Sequence, residues 1–84
     1  MSSRFTAKIL KETALVYDLR ITIEGKRHYF IVKVLPAKRD DFLVAVKKDA
    51  GFLLEDFGQV LHRGLGEPSD TLKAQLRETY GMYE

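Results

Sequence analysis

The clearest pattern in the sequence is an alternation of apolar and polar residues in its first half. Every second residue from Leu15 to Ile23 is apolar, which is the period of a β-strand with one buried face. Residues 24–27 supply a turn, and the β-rich run 28–35 follows it. The pattern therefore predicts a β-hairpin.

The register of this hairpin depends on where the turn is placed. With Gly25 and Lys26 as the two loop residues, glycine occupies the position of a type II′ turn that requires a positive φ. This register also aligns an opposite-charge pair, Asp18 with Lys33. A loop at Glu24 and Gly25 would force a positive φ on glutamate, so the sequence disfavours it. The predicted pairs are Ile21–Phe30, Leu19–Val32, Tyr17–Val34, Thr22–Tyr29 and Asp18–Lys33.

The remaining apolar spacing predicts two further strands and two helices. The predicted elements are strands over 5–9, 15–23 and 28–35, a helix over 38–49, a strand over 59–63, and a helix that begins at Pro68 and ends before Gly81. We expect a single α+β domain over residues 1–84 of order β-β-β-α-β-α. Its sheet is mostly antiparallel, with two helices on one face.

Composition narrows the class of protein. The 84 residues are 45% hydrophobic and 31% charged, as in a small globular domain and unlike a membrane protein. There is no cysteine, which excludes disulfides and thiolate zinc sites. Since the sequence begins without an apolar leader, we expect a cytoplasmic protein.

Charge is unevenly distributed along the chain, although the net charge is only +2. Residues 1–48 carry 11 Lys and Arg against 5 Asp and Glu, whereas residues 49–84 carry 3 against 7. Such an asymmetry can steer a charged partner if the two halves stay apart in space.

An open sheet face is the leading candidate for function. If both helices cover one face, the other face exposes Val16, Tyr29, Ile31 and Leu35 among polar residues. This surface is more apolar than contact with water requires, so it predicts a protein partner or self-association as a homodimer. The leading hypothesis is a small protein-interaction or regulatory module.

Nucleic-acid binding is the first alternative. The predicted hairpin tip places Lys26, Arg27 and His28 beside Tyr29, and single-stranded nucleic acid is bound by such combinations of basic and aromatic residues.

Binding of a small anion is the second alternative. The glycine-rich loop from Gly64 to Pro68 connects a strand to a helix, where backbone N–H groups can hold an anion. His62 and Arg63 precede this loop, but its spacing matches no phosphate-binding fingerprint. The candidate contacts of the two alternatives together are Lys26, Arg27, His28, His62, Arg63, Gly64 and Gly66.

Catalysis has little support in the sequence. His28 and His62, the only histidines, lie far apart in the chain and belong to no metal-binding motif. The tripeptide from Asp56 to Gly58 is typical of a turn. We therefore expect neither an enzyme nor a bound cofactor or metal.

Two stretches carry a resemblance to other proteins. They are Tyr17-Asp18-Leu19 through Pro36-Ala37-Lys38 and Phe42, and the run from Asp56-Phe57-Gly58 through Gly64-Leu65-Gly66-Glu67-Pro68 to Tyr80-Gly81. In these stretches the chain resembles a group of short bacterial proteins with no assigned activity. The resemblance implies a bacterial cytosolic protein and transfers no catalytic residues.

Overall fold

A four-stranded antiparallel sheet forms the centre of the protein. The computed structural model describes residues 4–48 and 51–83, and its strands are neighbours in chain order. The elements are β1 (Phe5–Glu12), β2 (Val16–Ile23), β3 (Lys26–Val34), α1 (Arg39–Lys47), β4 (Gly58–Gly64) and α2 (Asp70–Tyr80), with short 3-10 turns at Pro36–Lys38 and Leu54–Asp56. The predicted α+β class and the βββαβα order are confirmed. Asp49, the predicted last residue of the first helix, lies outside the described residues.

The two helices lie on opposite faces of the sheet, so the prediction that they share one face is wrong. Helix α1 buries Phe42 against Tyr17, on the side that we call the α1 face. Helix α2 packs Leu76 with Val16 and Ile31 on the other side, the α2 face. Successive residues of a strand point to opposite faces, so both helices find an apolar surface. The result is a sheet between two helical layers.

The hairpin between β2 and β3 turns at Glu24 and Gly25, so the predicted register is wrong by two residues. Ile23 pairs with Lys26, and the two loop residues have φ values of 50° and 86°. Two positive φ values are typical of a type I′ turn, whose twist matches that of the strands. A shift of two residues changes each cross-strand partner but keeps every side chain on its predicted face. The observed pairs include Tyr17–Val32, Leu19–Phe30, Ile21–His28, Thr22–Arg27 and Asp18–Ile31.

Burial decreases along β2 and β3 toward this turn. The molecule is elongated, with a longest extent of 43 Å, whereas the two helices have only 9 and 11 residues. Val16 and Ile31 are fully buried, but Ile23 and Arg27 are exposed. We call the less covered part of the sheet, residues 5–8, 20–30 and 63–64, the tip half. Its α2 face borders solvent at Lys8 and Arg27, whereas on its α1 face Ile21 is only 3% exposed.

Candidate functional site

The open apolar surface predicted from the sequence does not form. Val16 and Ile31 are fully buried beneath α2, so the prediction that they are exposed is wrong. Tyr29 is half-buried, and Leu35, which is 54% exposed, follows the end of β3. These four residues therefore form no continuous patch.

The tip half of the α2 face is basic instead. Lys8 pairs with Arg20, and Arg20 pairs with Tyr29, so the three residues form one row across the sheet. Gly64 of β4 completes the row. Arg27 lies on the same face, two residues along β3 from Tyr29. We call Lys8, Arg20, Arg27 and Tyr29 the basic face.

This clustering of charge is unfavourable for the fold itself. Lys8 and Arg20 lie directly opposite each other on neighbouring strands, where like charges destabilise the pairing. Arg27 lies diagonally from Arg20, at about 7–8 Å between backbones. In the described part of the chain, the recorded ion pairs all join other residues. The three charges are therefore available to a ligand.

Tyr29 differs from the other three tyrosines of the protein. The hydroxyl or the ring of each of those has a partner within the fold: Tyr17 with Arg39 at 2.8 Å, Tyr80 with Lys33 at 5.7 Å, and Tyr83 with Asp18 at 2.6 Å. Among residues 4–48 and 51–83, none forms a hydrogen bond with the hydroxyl of Tyr29 or a ring contact with it. This aromatic side chain stands among three cations without a partner of its own.

The contact residues predicted from the sequence are divided between the two faces. Lys26, His28 and Arg63 lie on the α1 face, whereas Arg27 and His62 lie on the α2 face. The division follows from the alternation of side chains along each strand. A single ligand on one face does not meet all five residues.

Sequence reasoning missed Lys8 and Arg20. Each lies in a separate strand, and only the pairing of β1 with β2 brings them together. The available signal was the two-residue period, which places Arg20 on the same face as Thr22 and Asp18.

The loop from Gly64 to Pro68 uses its polar groups internally. His62 Nε2 lies 3.2 Å from the carbonyl oxygen of Gly66. The side chain of Ser69 accepts a hydrogen bond from a backbone N–H in the first turn of α2, at 3.2 Å. The carboxylate of Glu67, in the same loop, lies 3.7 Å from the ammonium group of Lys73 in α2. Because this carboxylate repels anions, the arrangement favours a structural connection over a phosphate site.

An apolar cavity of about 230 Å³ lies on the α1 face of the tip half. Its walls include Phe5, Phe30 and Phe52. At its rim Arg63 donates a hydrogen bond to Glu55 at 2.5 Å, which lowers the pKa of that carboxyl group, and the guanidinium lies 5.7 Å from the ring of Phe30. The cavity is smaller than the ~300–1,000 Å³ of most small-molecule sites.

A buried carboxylate lies on the α2 face, next to the basic face. Asp18 is 6% exposed, and its Oδ2 accepts a hydrogen bond from the Tyr83 hydroxyl at 2.6 Å. Its Oδ1 has no hydrogen-bond partner within the described residues. Burial raises the pKa of Asp18, and burial together with this hydrogen bond raises the pKa of Tyr83. The predicted pairing of Asp18 with Lys33 does not occur, since the register places Asp18 opposite Ile31; the lysine lies over the ring of Tyr80.

No protein-family model, curated protein or solved structure matches the chain significantly. The resemblance to short bacterial proteins therefore stays a prediction. Within the described ranges, no group of three metal-ligating side chains could hold a metal ion, and no helix is long and apolar enough to cross a membrane.

Proposed function

We propose that the protein binds nucleic acid through the basic face, where Lys8, Arg20 and Arg27 contact phosphates. The observation that carries this proposal is the cluster of three cations on the α2 face, where Lys8 and Arg20 share a row with Tyr29 and Arg27 lies next to it on β3. Lysine and arginine contacts to phosphates supply much of the affinity of nucleic-acid-binding proteins. The cost of holding like charges together in the free protein is offset when phosphates lie between them.

A protein-interaction or regulatory module has less support than nucleic-acid binding. That hypothesis rested on an apolar surface of which Val16 and Ile31 were part, and both are buried. An acidic protein would match the charge of the basic face. It would leave unexplained why the ring of Tyr29, which has no partner among the described residues, lies in the same row as Lys8 and Arg20.

Salt dependence of binding tests the proposal. Binding of a fluorescent mixed-sequence oligonucleotide is measured by anisotropy over a range of salt concentrations. Three phosphate contacts predict a slope of about −2 for log K against log salt, at about −0.7 per contact with a single strand. Arg20→Gln should remove about 0.7 from this slope and weaken binding at low salt.

The matched control is Lys47→Gln, which removes the same charge from the exposed end of α1. It should leave slope and affinity unchanged. Binding that does not respond to salt, or equal effects of Arg20→Gln and Lys47→Gln, would overturn the proposal. Competition by polyglutamate as effective as that by the oligonucleotide would also contradict it, because the site would then bind any polyanion.

A further inference from the structure

We infer that the nucleic acid is single-stranded and that one unpaired base stacks on the ring of Tyr29. This inference rests on the proposed function and specifies the class of ligand for the same basic face. It is carried by the position of Tyr29, which has cations on two sides and no partner among the described residues.

The surroundings of Tyr29 differ on its two sides. On β4 its neighbour in the row is Gly64, and the imidazole of His62 lies 3.7 Å from the position that a Cβ of Gly64 would take, so His62 borders the ring on this side. Arg20 lies directly opposite on β2, at about 5 Å between backbones. Arg27 lies about 7 Å away along β3. When a base stacks on the ring, Arg20 and Arg27 are therefore close enough to contact the phosphates on the two sides of that base.

A duplex fits this surface poorly. The four strands of the sheet span about 14 Å between the outermost pair, at a spacing of about 4.8 Å. The major groove of DNA is about 12 Å wide and admits a helix or a two-stranded ribbon. Bases inside a duplex also have both faces stacked, so they are not available to Tyr29. A partly exposed aromatic residue on a sheet, as Tyr29 is, is typical of proteins that bind single strands.

The α1 face of the tip half offers no equivalent site. Its phenylalanines are already partnered, Phe5 by the ring of Phe52 at 5.6 Å and Phe30 by the guanidinium of Arg63 at 5.7 Å. The carboxylate of Glu55 lies at the same rim and repels phosphates. Base stacking with phosphate contact is therefore assigned to the α2 face.

The test compares three ligands of one sequence on the wild-type protein: the single strand, its duplex, and the single strand with abasic sites. Stacking predicts that the single strand binds more tightly than either of the others. A base stacked on an aromatic residue contributes about 1–3 kcal/mol, so Tyr29→Leu should weaken single-strand binding about 5- to 150-fold. Tyr29→Phe keeps the ring and should stay within about twofold of wild type. The salt slope of Tyr29→Leu should be unchanged because no phosphate contact is lost.

The outcomes separate this inference from the proposed function. If duplex and abasic strands bind as tightly as the single strand, while Arg20→Gln still reduces the salt slope, stacking is refuted and phosphate binding stands. If none of the three ligands binds, the proposed function fails as well. The comparison of ligands uses wild-type protein, so it remains decisive even if Tyr29→Leu does not fold.

Discussion

The hydrogen bond between Tyr83 and Asp18 allows the free energy of unfolding of a variant to be predicted. The bond is 2.6 Å long, its acceptor is a buried carboxylate, and the other carboxylate oxygen has no partner within the described residues. Tyr83→Phe removes only the hydroxyl group. Hydrogen bonds to charged groups contribute about 1.5–3 kcal/mol, so the free energy of unfolding should fall by about this amount. For a domain of this size the melting temperature should fall by roughly 6–24 °C.

The assay is urea and thermal denaturation followed by circular dichroism at neutral pH. Tyr80→Phe is the matched control, because its hydroxyl has no recorded hydrogen bond in the described part of the chain. It should stay within about 0.5 kcal/mol of wild type. In the Asp18→Asn background, Tyr83→Phe should cost less than in wild type, because the charged acceptor is gone. Equal stability of Tyr83→Phe and Tyr80→Phe would refute the reasoning.

Three further substitutions test other features of the fold. Glu24 has a φ of 50°, so Glu24→Asn, which creates the Asn-Gly pair preferred in type I′ turns, should stabilise the protein to urea by about 0.5–1 kcal/mol; an unchanged midpoint would contradict this. A Cβ on Gly58 would lie 1.9 Å from the backbone oxygen of Lys33, so Gly58→Ala should destabilise the protein by at least about 2 kcal/mol and speed amide exchange in β4. Slow exchange as in wild type would show that the strands tolerate the methyl group. Because burial raises the pKa of Asp18, its contribution to stability is present at acidic pH and is lost as the pH rises through that pKa. The stability of Asp18→Asn relative to wild type should therefore increase from acidic to neutral pH, and a difference that is independent of pH would count against this.

Local periodicity predicted the strands and helices and their order, but it did not predict which face each helix covers. The α2 face carries Val16 and Ile31 together with Asp18 and Arg20, a mixture that suggests an open surface. The mixture arises because α2 covers only part of this face. An 11-residue helix is about 16 Å long, whereas an eight-residue strand is about 27 Å long. One end of the α2 face is therefore buried beneath the helix, and the other end is in contact with solvent.

The hairpin register shows a competition between two local effects. Placing Glu24 at a positive φ costs about 1–2 kcal/mol, which argued against the turn that forms. The twist of a type I′ turn, which matches the strands, outweighs this cost. Because the shift is even, Arg27 and Tyr29 keep their predicted face. The basic face could not be predicted without the register of β1, which places Lys8 opposite Arg20. No short-range pattern in the sequence specifies this register.

The partial cover of the sheet also links the fold to the proposed function. Helix α2 buries the apolar half of the α2 face, and three cations collect on the tip half. There Lys8 and Arg20 repel each other in the free protein, so this part of the sheet is held in place by the remainder of the core. Phosphates bound between them would remove the repulsion. A ligand that binds only the folded protein also stabilises it by mass action, so nucleic acid should strengthen the part of the sheet that the helices leave uncovered.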